Sequence, residues 1–407
     1  MVVIALRILT LGGAGEMGRA AVTSLASDDR VKEIVVADRD DLAARRVAHS
    51  VGAKASWLAV DVTDRQILAD ALRNCDVVVN TVGPFFRFGA TVLLAAIDAG
   101  CDYIDICDDP EPTLEMLALD DHAKAAGITA LVGMGASPGV SNLLAVVAAR
   151  ELDGVDSIHT CWNVAAAQPD SNHAGSTSAA LVHGIRQISG EIPVIHGGEL
   201  VRRPALERLT IDYPGIGSRN GRSFGHPEAV TLSRAFPELR ECQNVVFGDR
   251  ATLAMLSALR WSIGHRLMSA DGAARLAGRI ERLTSPSNKL LQTGGVPPLF
   301  ALATGTRRGQ HAVVAAALTQ LPGLSMAANT AVPLAVATPM VKLARRPGVH
   351  TPETLIDPGR FFDAFAGRCI GEPAPGSMLA ITKSWASTAE NAAVLNSHLL
   401  TALLQLQ

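Results

Sequence analysis

The residues with the plainest chemical use are three glycines, Gly13, Gly15 and Gly18, in the run Ile8-Leu-Thr-Leu-Gly-Gly-Ala-Gly-Glu-Met-Gly18. Their GxGxxG spacing follows an apolar, strand-like run and opens a helical one. In such a loop the first glycine allows a tight turn, the second lets the backbone approach a pyrophosphate, and the third lets helix and strand pack closely. The helix start, here Glu16 and Met17, presents N–H groups and positive dipole to the phosphates. Asp38 stands 20 residues beyond Gly18 at the end of the second strand, where a carboxylate accepts hydrogen bonds from the adenosine ribose hydroxyls. Strand, loop, helix and acid in register point to a dinucleotide cofactor. A carboxylate at this place repels a 2′-phosphate, which favours NAD. NADP stays open, because Arg39 could pair with a 2′-phosphate or stack on the adenine if Asp38 turned aside. Asp61, in Val60-Asp-Val-Thr63, is placed either for the adenine edge or as a helix N-cap.

Further candidates fall at the carboxyl ends of later strands, where open parallel sheets bind their ligands. Val82, Gly83 and Pro84, in Asn80-Thr-Val-Gly-Pro-Phe-Phe86, form either the path of the nicotinamide half or an ordinary Gly-Pro turn. Ser137, in Ser137-Pro-Gly-Val-Ser-Asn142, would hold a carboxamide or carboxylate, or cap a helix. Hydride transfer requires little beyond placing carbon against carbon in a dry site, so no triad is expected. A proton must still move at nitrogen or water. His226, within Gly225-His-Pro-Glu228, is the first candidate because its backbone is restricted and Glu228 can tune it; a structural histidine is the alternative. Asp105 is the second, and like Cys107 it could instead cap a turn. Arg186, Arg222 and Arg307 would grip a carboxylate or serve in surface ion pairs. Neither Tyr103 nor Tyr213 has a lysine four residues later, and no HExxH or other metal-ligand spacing occurs, so the short-chain and zinc-dependent dehydrogenase patterns are excluded and no metal is expected.

These residues need a scaffold that alternates strands and helices, and the first third of the chain supplies one. Strands are predicted at Arg7–Leu11, Glu33–Ala37, Ala55–Ala59, Val77–Thr81, Tyr103–Ile106 and Ala130–Gly133, with helices at about Met17–Ala26, Leu42–Val51, Arg65–Arg73, Ala90–Ala99 and Glu111–Ala126. The fold class is therefore α/β: a Rossmann doubly wound parallel sheet over residues 1–140. After Pro138 the alternation is lost and short strands mix with Gly-, Pro- and Ser-rich connections, which predicts a second domain over 141–325.

Composition agrees with a buried globular chain. Of 407 residues, 48% are hydrophobic and only 18% charged, so there is core enough for two domains and little to keep a segment disordered. Aromatics at 4% leave burial to Ala, Val, Leu and Ile, which suits helices on parallel strands. A net charge of −3 offers no long-range attraction to nucleic acid or anionic membranes. The six cysteines show no CxxC and read as reduced, buried thiols. The N-terminus has no basic leader, so a cytoplasmic location is expected. The apolar stretches 130–149 and 325–341 are broken by glycine, proline or asparagine, and buried elements explain them better than a bilayer.

Asn80-Thr-Val-Gly-Pro-Phe85, Gly100-Cys-Asp-Tyr-Ile-Asp105 and Gly135-Ala-Ser-Pro-Gly-Val-Ser-Asn142, in that order and spacing, resemble the saccharopine dehydrogenase superfamily. Gly225-His-Pro-Glu-Ala-Val-Thr-Leu232, Gly348-Val-His-Thr-Pro-Glu353 and Asp357-Pro-Gly-Arg-Phe-Phe362 resemble segments of its bacterial members, including those similar to lysine 6-dehydrogenase. The resemblance implies a Rossmann domain with an inserted α+β domain (141–325) that binds substrate and makes a homodimer, a C-terminal helical segment (326–407) returning to the first domain, and NAD(P)-dependent chemistry at carbon–nitrogen bonds of a small, amino-acid-like substrate. The basic residues that hold the carboxylates of saccharopine have no clear match here, which puts that substrate in doubt. Two rival readings stand beside amine–imine chemistry: reduction of a carbon–carbon double bond in a lipid or polyketide-like substrate, and a dinucleotide-binding sensor without turnover.

Overall fold

The computed structural model describes residues 5–164, 184–185, 187–269, 272–273, 295–323 and 325–404. Arg186 lies outside the described residues. The chain divides into two compact units, one of residues 1–140 with 325–368 and the other of residues 141–324 with 369–407.

The first unit begins with β1 (Leu6–Leu11), α1 (Glu16–Ala26), β2 (Val31–Asp38), α2 (Asp41–Val51), β3 (Ala55–Ala59), α3 (Arg65–Leu72) and β4 (Val77–Asn80). It continues with α4 (Phe85–Ala99), β5 (Asp102–Asp105), α5 (Pro110–Leu117), α6 (Asp120–Ala126) and β6 (Thr129–Leu131). The central strands are short apolar runs, with Ile8, Leu9, Val77, Val78 and Val79 fully buried. Strands covered on both faces need no polar alternation, which is why these read as continuous runs. Helix Met326–Ala344 packs on α1, so the apolar stretch 325–341 belongs to this unit. No helix of the described residues is long and apolar enough to cross a membrane.

The strand order is 3-2-1-4-5-6 followed by a seventh, β15 (Gly348–His350), which pairs parallel with β6. Six strands were expected, and the seventh comes from the far end of the chain. Every neighbouring pair is parallel. Adenosine and nicotinamide halves of a dinucleotide divide at the place where such an order reverses, between β1 and β4.

The C-terminal segment departs from the expectation of one helical segment on the first domain. Residues 325–368 join the first unit and 369–407 the second, where β16 (Leu379–Lys383) adds an edge strand on β14 (Gln310–Leu318). The predicted helix Glu111–Ala126 is two helices, α5 and α6. Asp120 opens α6, accepts a hydrogen bond from Val349 N–H at 2.9 Å and pairs with Lys124 at 2.5 Å. A contact with β15 thus fixes the break, and local periodicity carries no trace of it.

The second unit is a mixed nine-stranded sheet. Its main path runs β10 (Arg208–Tyr213), β11 (Gly217–Phe224), β12 (Glu241–Phe247), β7 (Gly154–Asn163), β13 (Leu299–Arg307), β14 and β16. A hairpin of β8 (Glu191–His196) and β9 (Glu199–Pro204) pairs with β12. Only β7 and β12 run parallel; the other pairs are antiparallel. Tyr213, Phe300 and Phe247 fill one core, with Tyr213 and Phe300 edge to face at 5.2 Å. Each buried ring of this size contributes roughly 1.5–3 kcal/mol over exposure.

Candidate functional site

The glycine loop joins β1 to α1 at the carboxyl end of the sheet, and its glycines divide the work differently from the simple motif reading. The left-handed turn falls on Gly12, with φ +72°. Gly13 is buried and serves packing, since a Cβ there would meet Thr10 Oγ1 and Val36 Cγ1, both at 2.8 Å. Gly18 is the tightest position: its Cβ would stand 2.1 Å from the Gly12 carbonyl oxygen. Gly15 is exposed and caps α1 without any side-chain hydrogen bond, while Arg19 N–H makes the first bond into the helix, to Gly15 O at 2.9 Å. The amides of Glu16, Met17 and Gly18 therefore lie in the first turn, where the helix dipole is positive. Thr81, just past β4, donates from its hydroxyl to Leu11 O at 2.9 Å and Gly12 O at 3.2 Å, tying the loop to the sheet. Thr10, Gly12 and Thr81 are outside the GxGxxG pattern, and only the strand-to-strand packing identifies them.

Asp38 ends β2 beside this loop. Its Oδ2 accepts a hydrogen bond from Ala14 N–H at 3.1 Å and its Oδ1 one from Asp40 N–H at 3.2 Å. The carboxylate is thereby fixed against the glycine loop, while Arg39 next to it is exposed. Asp61 is exposed and holds Thr63, accepting from its hydroxyl at 2.7 Å and its N–H at 2.9 Å. The hydrogen bond from the Thr63 hydroxyl holds the Asp61 carboxyl below the usual aspartate range. The N-cap of α3 is Asp64, not Asp61, and it accepts from Gln66 and Ile67 N–H.

Past β4, Val82, Gly83 and Pro84 lead directly into α4, which starts at Phe85 rather than at Ala90. A Cβ on Gly83 would enter open space, with no atom within 4 Å. Among the described residues nothing stands where a side chain would go, so the bare backbone leaves room at the sheet edge. Ser137 is half-buried and lies three residues before the helix Val140–Ala149, so the expected alternative of an N-cap does not describe it. Gly139 behind it has φ +120°, and a Cβ would meet Gly135 O at 2.1 Å, which fixes the path of this segment.

Asp105 does not face the open edge. It is fully buried, with Oδ1 accepting from Gly133 N–H at 2.7 Å and Cys107 N–H at 3.0 Å, and Oδ2 accepting from the Tyr103 hydroxyl at 2.7 Å. Burial pushes its pKa up to about 6 against the pull of those donors. The geometry replaces the expected proton-moving role with that of a brace, and it places Cys107 in the turn. Asn80 and Tyr103, missed in the sequence reading, belong to the same network. A polar residue closing the apolar run Val77-Val-Val-Asn80 is the signal that could have found the first of them.

In the second unit His226 is buried among aromatic rings, 4.9 Å from Phe224 and stacked on Trp162 at 6.4 Å. Its Nε2 lies 3.2 Å from Gln187 Oε1 and its Nδ1 3.7 Å from Glu228 Oε2. Glu228 is fully buried and accepts a hydrogen bond from the Ser141 hydroxyl at 2.7 Å. Asn142 donates to Thr231 Oγ1 at 3.2 Å beside it. Arg307 is committed elsewhere, to the Glu151 carbonyl at 2.6 Å and over the Trp385 ring at 4.4 Å, and Arg222 donates to Leu206 O at 3.3 Å.

Three comparisons with known proteins bear on this geometry. Residues 8–131 match the family model described as "Saccharopine dehydrogenase NADP binding domain". A saccharopine dehydrogenase (L-Glu forming) from Saccharomyces cerevisiae shares the fold, with TM-score 0.62 at 16% identity over 93% of this chain and 100% of that one. The first third of the chain is thus similar to the nucleotide-binding domain of the saccharopine dehydrogenases, and the fold is that of the yeast enzyme. Among relatives, it is 26% identical to carboxynorspermidine synthase of Vibrio cholerae over 264 residues, 60% of this chain and 63% of that protein. It is 24% identical to carboxyaminopropylagmatine dehydrogenase of Synechocystis over 241 residues, 57% of this chain and 60% of that protein. The matches therefore span less than two thirds of either relative's length. The saccharopine dehydrogenase-type domain accounts for the loop: a bare, uncapped first turn, a fixed acid at the end of β2 and open space at Gly83 fit NAD or NADP.

Proposed function

We propose that this protein is an NAD(P)-dependent oxidoreductase acting at a carbon–nitrogen bond of a small amine or imine. The single observation that carries the nucleotide part is the glycine loop packed against Asp38, with Ala14 N–H donating to the carboxylate. The carbon–nitrogen part rests on similarity to the saccharopine dehydrogenase nucleotide-binding domain and to relatives named as a carboxynorspermidine synthase and a carboxyaminopropylagmatine dehydrogenase. Bound at the loop, the dinucleotide would exchange hydride with the carbon of that bond.

The chain's own residues do the rest. The amides of Glu16 and Met17 would hold the pyrophosphate, Asp38 would take the ribose hydroxyls, and Val82, Gly83, Pro84 and Ser137 would border the nicotinamide half. Because Asp38 is fixed by two backbone donors and repels a 2′-phosphate, NAD is the preferred cofactor. His226, whose Nδ1 lies 3.7 Å from Glu228 Oε2, is the residue that would give or take the proton at the substrate nitrogen. The family resemblance carries the further proposals of a small-molecule substrate and a homodimer, and the cysteine pattern that of a cytoplasmic location.

The test is a panel of secondary amines with NAD, and of carbonyl and amine pairs with NADH, in which formation or consumption of reduced nicotinamide is followed by absorbance. We expect turnover on at least one amine or on its carbonyl-plus-amine counterpart, with a loss of at least tenfold in His226→Gln. Turnover confined to carbon–carbon double bonds, or none with any pair, would overturn the reading.

A further inference from the structure

The loops after β4, β5 and β6 are tied together by one buried chain of hydrogen bonds. Val82 N–H donates to Asn80 Oδ1 at 3.0 Å, and Asn80 Nδ2 donates to the Tyr103 hydroxyl at 2.9 Å. That hydroxyl donates to Asp105 Oδ2 at 2.7 Å, and Asp105 Oδ1 accepts Gly133 N–H and Cys107 N–H. Asn80, Tyr103 and Asp105 are all fully buried. A carboxylate, a phenol and an amide in that setting are an expensive way to fill a core, since apolar side chains of similar volume carry no desolvation cost. What they provide that apolar groups do not is fixed distance between three loop backbones.

The position of the network says which part of a ligand would notice it. Asp38 and the strands that flank it, β2 and β3, lie on one side of β1. The strands β4, β5 and β6 lie on the other. In a sheet of this order the two halves of a dinucleotide divide across that reversal. We propose that Asn80, Tyr103 and Asp105 are positioning residues for the nicotinamide end of the cofactor, holding Val82–Pro84 and the segment 133–137 in register. This deepens the dinucleotide reading given above and rests on it. The three residues act through the backbone they hold.

The experiment compares two nearly isosteric variants, Tyr103→Phe and Asp105→Asn, with the wild type. Dissociation constants are measured by calorimetry for whichever of NAD and NADP the wild type binds more tightly, and for the ADP-ribose portion of that same cofactor, which lacks the nicotinamide ring. We expect about a tenfold loss of affinity for the whole cofactor in each variant that folds, and less than a twofold change for the ADP-ribose portion. Equal losses for both ligands would overturn the proposal by showing a merely structural role, and unchanged affinity for both would overturn it too. Wild-type protein that bound neither ligand would remove the dinucleotide reading itself, a failure distinct from a variant that binds both as the wild type does.

Discussion

Gly18→Ala abolishes dinucleotide binding at concentrations that saturate the wild type, a loss of at least about a hundredfold, roughly 2.8 kcal/mol. The reason is local and severe. The added carbon would stand 2.1 Å from Gly12 O, 2.7 Å from Gly13 Cα and 2.8 Å from Gly12 C, all backbone atoms that no side-chain rotation can clear. Relief requires α1 to move away from the loop, which displaces the first-turn amides relative to the loop that Asp38 holds through Ala14 N–H. The same strain costs folding stability, about 1–3 kcal/mol on the scale of overpacked sites. Gly15→Ala is the control, because its added carbon would meet only Gly12 O at 3.2 Å. It should fold like the wild type and lose affinity only in proportion to how closely the phosphate approaches that backbone. Titration calorimetry with a thermal scan of each variant separates the two effects.

Asp105→Asn changes the pH dependence of stability, and the sign follows from the raised pKa. Burial lifts Asp105 from the usual aspartate value near 3.8 to about 6, so between those values the folded protein holds a proton that the unfolded chain has released. Stability contributed by this group is therefore fully present below about pH 4 and is lost as pH rises through about 6. The full change is about 3 kcal/mol, at about 1.4 kcal/mol per pH decade. Asp28 and Asp120, whose carboxyls are held low by Arg30 and Lys124, drive stability the other way on acidification, but they are common to both proteins. The difference in unfolding free energy, wild type minus Asp105→Asn, should thus grow by up to about 3 kcal/mol as pH falls from 7 to 4. Urea unfolding at a series of pH values measures it. A flat difference would mean that Asp105 is solvated and outside the buried network.

What was legible in the sequence is what depends on neighbours in the chain. The run Ile8–Gly18 contains its own strand, turn and helix start, and Asp38 follows at the distance set by one helix and one strand, so the loop and its acid could be placed directly. The apolar runs at 34–37 and 77–79 are buried on both faces and need no partner to be recognised. What was not legible depends on residues far away. Gly348–His350 is only three residues long and becomes a strand because β6, more than 200 residues earlier, offers an unpaired edge. Asp105 has the composition of a catalytic acid, yet Gly133 and Tyr103 turn it into a brace. Arg307 reads in the sequence as a carboxylate grip or an ion-pair residue, and only the fold, by setting Glu151 and Trp385 against it, selects the second. The division of labour between Gly12 and Gly13 is likewise set by Thr10, Val36 and Thr81, and no motif records it.

The most direct test of the central claim, a dinucleotide seated on the glycine loop with its ribose on Asp38, is a titration of wild type and Asp38→Ala with NADH and NADPH. Binding is followed through energy transfer from protein tryptophan to the reduced nicotinamide. The account predicts that the wild type binds NADH at least about tenfold more tightly than NADPH, about 1.4 kcal/mol, and that Asp38→Ala loses this preference by weakening NADH and strengthening NADPH. Wild-type protein that binds neither nucleotide, or an Asp38→Ala variant that binds both as the wild type does, would contradict it.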